Sequence, residues 1–157
     1  MQEKLRKNET SLLISGMADI AFGAWSLIKT MLYVLLNREL RETVPEELAG
    51  SFLFYAVLIV MVLIIGALDT GLRLYVGLSA RAEGKGKVKG RGYLIAAFVL
   101  AVLLLFSIGS SLYHGYNSVD SAFDTGVAIL LDLTSLGAVA ETICAALTVR
   151  KLRKVVG

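Results

Sequence analysis

The 157-residue sequence has little of three things that soluble and secreted proteins use for stability or chemistry: charge, cysteine and histidine. Charged residues make up 18% of the chain, whereas soluble proteins carry about 25%. The lone cysteine, Cys144, excludes a framework of disulfide bonds. The lone histidine, His114, cannot build a metal site by itself. A disulfide-stapled secreted domain is therefore excluded, and an ordinary soluble domain is disfavoured.

Apolar residues are in excess and make up 56% of the chain, against about 45–50% in soluble proteins. A chain this apolar does not stay disordered in water. Two uncharged runs, residues 48–68 and 92–113, contain 21 and 22 residues. Because a bilayer core of roughly 30 Å needs about 20 helical residues, each run can cross a membrane alone. These two runs predict two transmembrane helices.

Two further apolar stretches are long enough to cross but are interrupted by charge. Residues 10–37 include Asp19 and Lys29, and residues 125–149 include Asp132 and Glu141. Either stretch could be a buried helix of a soluble protein, but too little other chain exists to cover it. We therefore predict an all-α polytopic membrane protein, in which four transmembrane helices form one bundle. The predicted spans are approximately 11–37, 50–79, 92–116 and 124–149, within a single domain covering 1–157.

Basic residues predict the orientation of these spans. Three segments, at the two ends of the chain and between the second and third spans, hold 12 of the 16 lysines and arginines. The other two connections are acidic on balance. An even number of crossings puts the basic segments on one side, which the positive-inside rule makes the cytoplasm. The prediction is therefore N-in and C-in, in a plasma membrane of bacterial type.

The same basic segments predict the partners of the chain. Attraction to anionic lipid headgroups is worth about 1 kcal/mol per basic residue near the surface. Nucleic-acid binding is not expected, because no aromatic residues are interleaved with the charges to stack on bases. The glycine- and lysine-rich stretch 84–92 lacks the spacing of a phosphate-binding loop. No cofactor is expected, and the chain gives no indication of a particular metal.

Four ionisable residues within the spans predict an inner polar layer. Counting 1.5 Å per residue from the cytoplasmic ends puts Asp19, Asp69 and Glu141 at about 13–16 Å and Arg73 at about 10 Å. Asp69 and Arg73 are four residues apart on one face, so they can pair. Three carboxylates against one guanidinium would leave an unsatisfied buried charge, which a bound cation or a proton would relieve. Intramembrane acids of this kind are typical of transporters and pumps.

A second polar layer is predicted nearer the outer surface. Lys29 and Asp132 each lie about 12 Å from that surface and carry opposite charges. The hydroxyl groups of the first and third spans reach similar depths. The predicted outer vestibule consists of Ser26, Lys29, Ser107, Ser110, Ser111, His114 and Asp132.

The fourth span fits a single inward face poorly. Asp132 and Glu141 are nine residues apart, which is about 180° round a regular helix. Either one of them faces a second subunit, or the helix is distorted near Gly137. A stripe of small residues on the Glu141 face favours close helix contact, which indicates a homo-oligomer. The stripe consists of Thr134, Ala138, Glu141, Ala145 and Thr148.

Two functions follow as hypotheses. The first is a transporter or channel component with a buried acidic cation or proton site at Asp19, Asp69, Arg73 and Glu141. The second is a non-catalytic membrane subunit or adaptor, whose intramembrane charges match those of partner helices; purely structural ion pairs would also fit it. An enzyme is not expected, because the serines near His114 share its helix and no nucleophile motif surrounds them.

Overall fold

The structure, a computed structural model, describes residues 2–36, 52–117 and 122–156, and over these the chain forms four helices and the loop 85–91, with no strand. The all-α prediction is confirmed. Each helix is long and apolar enough to span a membrane, so the chain has the character of a multi-pass membrane protein. The helices are α1 (Gln2–Leu36), α2 (Phe52–Gly84), α3 (Gly92–Asn117) and α4 (Ala122–Val156). The predicted acidic connections, except Asp124 at the start of α4, lie at 37–51 and 118–121, outside the described residues.

Three helices run past the predicted spans at their basic ends. Helix α1 begins at Gln2, α2 continues to Gly84 and α4 continues to Val156. Helix α2 is followed by Gly86, which has a left-handed backbone with φ of 89°. The Gly86 and Lys87 amides donate back to the carbonyls of Glu83 and Ala82 at 3.0 and 3.1 Å. This is the glycine-terminated motif that closes many helices, and it ends α2 about a turn later than predicted.

The helices pack in a ring. Helix α1 packs against α2 and α4, and α3 packs against the same two helices. Where α1 crosses α2, a Cβ atom on Gly77 would lie 2.6 Å from the carbonyl oxygen of Gly16. The two backbones therefore touch at this crossing. Two apolar clusters fill the ring, one of Leu12, Ala80, Tyr93, Ala145 and Ala146, the other of Val76, Ala97, Leu100, Leu104 and Val139.

Polarity is inverted relative to a soluble protein. Large apolar side chains such as Leu53, Ile65 and Phe106 are exposed, whereas Asp19 and Arg73 are buried. An exposed apolar exterior of this extent suits a lipid environment. Contacts among Glu9, Glu83, Tyr93 and Arg153, described below, bring the basic ends of all four helices together. Insertion as a bundle with both termini on the cytoplasmic side stays a prediction.

Candidate functional site

A polar cavity of about 350 Å³ lies between the helices, within the apolar segments. Ligand pockets commonly measure about 300–1,000 Å³, so this one has room for a small solute. All four helices contribute to its wall. The lining residues are Phe22, Trp25, Ser26 and Lys29 of α1, Asp69 and Arg73 of α2, Leu103, Leu104 and Ser107 of α3, and Val127, Leu131, Asp132 and Ser135 of α4.

One wall of the cavity is the predicted pair of Asp69 and Arg73. The Arg73 Nε donates to Asp69 Oδ2 at 3.0 Å, and Ser26 Oγ donates to the same oxygen at 2.5 Å. The buried Arg73 also donates through Nη1 to Ser135 Oγ on α4. The pair is therefore neutralised internally and braces three helices against one another.

The opposite charges at Lys29 and Asp132 are not neutralised in this way. Ser107 Oγ donates to Asp132 Oδ2 at 2.7 Å, which joins α3 to α4. Among the described residues Lys29 forms no ion pair, although it lines the same cavity as Asp132. The four ionisable residues in the lining are two carboxylates and two bases, so their formal charge sums to zero. The cavity thus holds one internal ion pair, one separate acid and one separate base.

Asp19 is buried apart from this cavity. Its side chain is 0% exposed, and Oδ2 accepts a hydrogen bond from Thr142 Oγ1 of α4 at 3.0 Å. Within the described part of the chain, Asp19 Oδ1 and the buried Ser15 Oγ have no hydrogen-bond partner. A buried carboxylate oxygen without a partner is costly. Among the predicted acids, Asp19 is therefore the one at which a bound proton or cation would remove the largest free-energy cost.

Glu141 does not join the other predicted acids. It is exposed on α4 and accepts a hydrogen bond from Ser11 Oγ of α1. Its neighbour Thr142 takes the inward position beside Asp19, and successive residues of a helix lie about 100° apart. The structure therefore brings Asp69 and Arg73 to the residues of the predicted outer layer, while Asp19 lies outside the cavity lining but within electrostatic reach of Arg73, and Glu141 lies on the surface.

Only some residues of the predicted vestibule line the cavity in the structure. Ser26, Lys29, Ser107 and Asp132 line the cavity. Ser110 is exposed and Ser111 is half-buried on α3, and neither lines it. The side chain of His114 lies outside the described part of the structure. Across residues 2–36, 52–117 and 122–156, no three His, Cys, Asp or Glu side chains are grouped so as to hold a metal ion.

Sequence reasoning missed a cluster at the basic end, formed by Glu9, Glu83, Tyr93, Arg150 and Arg153 and named here the Glu83 cluster. Glu83 is 2% exposed. Its carboxylate accepts Arg150 Nε and Nη2 at 2.7 and 2.8 Å and the Tyr93 hydroxyl at 2.6 Å. The Arg150 guanidinium also lies 5.4 Å from the Tyr93 ring centroid. One acid in the basic stretch 81–91 was the signal available in the sequence.

Arginine side chains extend this cluster to the remaining elements. Arg153 Nη2 donates at 2.8 Å both to Glu9 Oε1 of α1 and to the carbonyl of Glu83. Arg150 Nη2 donates to the carbonyls of Lys89 and Gly90 at 3.0 and 3.1 Å. The Glu83 cluster therefore connects all four helices with the loop between α2 and α3.

No protein-family model matches the chain, and comparison with curated proteins and with solved structures gives no significant match. A helical membrane fold by itself hosts many unrelated functions. Function must therefore be inferred from the charges of the cavity and from their partners.

Proposed function

We propose that the protein is a small membrane transporter or channel component, which binds a small charged solute in the cavity between its four helices. One observation carries this proposal: the cavity holds a base, Lys29, and an acid, Asp132, that do not pair with each other in the described structure. Each costs roughly 2.5–3.5 kcal/mol at a helix centre in a membrane. Stability alone explains the braced Asp69–Arg73 pair, whereas the exposed Lys29 and the half-buried Asp132 have no partner of opposite charge in the described structure and are available to a ligand.

The charge balance of the cavity favours a solute that carries both signs. A simple cation is attracted by Asp132 but repelled by Lys29, and a simple anion meets the reverse. A small zwitterion satisfies both side chains at once and fits about 350 Å³. Polar groups that converge on a concave site are what fix the orientation of such a ligand.

Of the acids in the cation or proton site predicted from the sequence, this proposal retains only Asp19. Asp69 already accepts hydrogen bonds from Arg73 and Ser26, and Glu141 lies on the surface. Asp19 alone among them is fully buried with a carboxylate oxygen that has no partner in the described structure. We assign to it the binding of a proton or small cation that accompanies the solute.

Lys29→Gln and Asp132→Asn are each expected to weaken solute binding by about 10- to 100-fold, because each removes one charged hydrogen bond worth about 1.5–3 kcal/mol. Binding to purified protein is measured by calorimetry with free amino acids, potassium and inorganic phosphate as probes. Uptake is followed in proteoliposomes. In the same liposomes Asp19→Asn is expected to reduce the flux of protons or potassium.

A matched pair on α3 provides the control. Ser107→Ala removes the donor to Asp132 and is expected to weaken binding, whereas Ser110→Ala changes an exposed hydroxyl outside the cavity. Equal binding by wild-type protein, Lys29→Gln and Asp132→Asn at unchanged stability would exclude the cavity as the site. The absence of binding by every probe would exclude it too.

Glu141 favours a second candidate function, that of a non-catalytic subunit or adaptor. It is exposed, and it lies nine residues before Arg150, about 13 Å along α4 from the first of the basic residues at that end. A carboxylate at that depth is costly, and the one hydrogen bond that Glu141 accepts, from Ser11, leaves acceptor sites that a polar group on a partner's helix would fill. The neighbouring Thr134 and Thr148 are also exposed, and small residues of this kind permit close helix approach.

Glu141→Leu is expected to dissociate any complex that forms through this face, because it removes the group that a partner helix would contact. Mass measurement by light scattering in mild detergent tests this, with Glu3→Gln as the control on an exposed acid near the start of α1. A wild-type protein that is already monomeric, or a variant of unchanged assembly mass, contradicts the adaptor hypothesis.

A further inference from the structure

A groove of about 1,050 Å³ lies at the basic end, between α3, α4 and the loop that precedes α3. It is separate from the polar cavity described above. The groove has an apolar floor, formed by Val88, Leu94, Ile95, Phe98, Ile143 and Leu147. Its rim is basic and consists of Lys89, Arg91, Arg150, Lys151, Arg153 and Lys154.

The charges of the rim are only partly used within the protein. Arg150 and Arg153 are paired with Glu83 and Glu9. Glu83, the acid that lines the groove, is therefore already neutralised. Four exposed residues of the rim form no ion pair in the described structure, so about four positive charges lie beside the apolar floor of the groove. These four are Lys89, Arg91, Lys151 and Lys154.

We propose that this groove binds one anionic phospholipid, with its phosphate among the four free bases and an acyl chain along the apolar floor. Charge complementarity supports the placement of the headgroup, because the rim is positive and holds no free acid among the described residues. The apolar floor supports the placement of the acyl chain, because Ile95, Phe98 and Leu147 are exposed on helices that are apolar enough to span a membrane. Basic pockets between membrane helices commonly bind such headgroups.

The occupant is a lipid and not a soluble anion, since a free phosphate would use the rim and leave the floor empty. An acidic peptide would likewise match the charge but not the apolar length of the groove. The inference concerns a surface different from the cavity, so it stands whether or not the cavity carries a transported solute.

The test measures binding of phosphatidylglycerol to the purified full chain in neutral detergent by native mass spectrometry, with phosphatidylcholine as the neutral lipid. Replacing Lys89, Arg91, Lys151 and Lys154 by Gln is expected to weaken binding by up to about several hundredfold, since each base near a phosphate contributes about fivefold. The matched control replaces Lys4, Lys7, Lys85 and Lys87 by Gln. It removes the same charge from exposed positions that do not line the groove, and binding is expected to stay within about twofold.

Leu147→Trp provides an independent arm, because it fills the floor and keeps every charge. It is expected to weaken phosphatidylglycerol binding, and unchanged binding would overturn the placement of the acyl chain. Equal losses in the two quadruple variants would show diffuse surface attraction and overturn the groove as a site. Displacement of the lipid by inorganic phosphate or by an oligoglutamate peptide at equal concentration would overturn a lipid occupant.

Discussion

Glu83→Ala is expected to destabilise the protein by about 3–5 kcal/mol, because removing one partner of a buried ion pair leaves the other charge uncompensated. Arg150 loses the carboxylate that accepts two of its donors, at 2.7 and 2.8 Å. Tyr93 loses the acceptor of its hydroxyl hydrogen bond at 2.6 Å. The loss falls at the point where all four helices meet, so we expect the basic end to open as a unit.

Two further variants separate the burial of this charge from the mere presence of an ion pair. Glu9 and Arg153 also pair at 2.8 Å, but their side chains are 25% and 24% exposed. This pair is half-buried, and since surface pairs contribute about 0–1 kcal/mol, Glu9→Gln is expected to cost much less than Glu83→Ala. The double change Glu83→Leu with Arg150→Met removes both charges of the pair and is expected to be less destabilising than Glu83→Ala alone.

Thermal unfolding in detergent, followed by circular dichroism, measures the three variants under one set of conditions. The expected order of stability is Glu9→Gln, then the double variant, then Glu83→Ala. Equal melting midpoints for Glu9→Gln and Glu83→Ala would contradict a central role for the Glu83 cluster.

The number and type of the helices could be predicted from the sequence because a bilayer imposes a length on each apolar run. The runs 48–68 and 92–113 lie largely within α2 and α3. The pairing of Asp69 with Arg73 could also be predicted, because residues four apart on a helix are neighbours in space. Both features are local: they depend on one helix at a time.

Which of the polar residues line the cavity, and which lie elsewhere in the bundle or on its surface, could not be predicted, because this depends on the register between helices. Counting depth from residue 80 put Asp69 level with Asp19. Counted from the observed ends of the helices, Gly84 and Gln2, Asp69 and Asp19 lie about 22 and 26 Å along α2 and α1, which are still similar depths. The two acids are separated by their neighbours and not by depth: Asp69 accepts a hydrogen bond from Ser26 of α1, whereas Asp19 accepts one from Thr142 of α4. Gly84, Gly86, Gly90 and Gly92 are all candidate helix ends in the sequence, and only the left-handed backbone of Gly86 decides among them.

Gly77→Ala is expected to destabilise the protein by about 1–3 kcal/mol, the usual cost of overpacking a close contact. A Cβ atom there would lie 2.6 Å from the carbonyl oxygen of Gly16 and 3.1 Å from the backbone nitrogen of Ile20. Backbone atoms of α1 cannot rotate away as a side chain can, so the two helices must separate. The contact of Ser26 on α1 with Asp69 on α2 depends on the same helix spacing.

Gly71→Ala is the control that makes this result interpretable. Gly71 lies on the same helix, six residues earlier, and a Cβ atom there would meet nothing within 4 Å. Replacing glycine by alanine in a helix otherwise favours the helix by about 1 kcal/mol, so Gly71→Ala is expected to be neutral or stabilising. Thermal unfolding in detergent compares the two variants. Because both carry the same change in helix propensity, opposite shifts in melting midpoint isolate the clash with α1, and equal shifts would contradict the close crossing at Gly16 and Gly77.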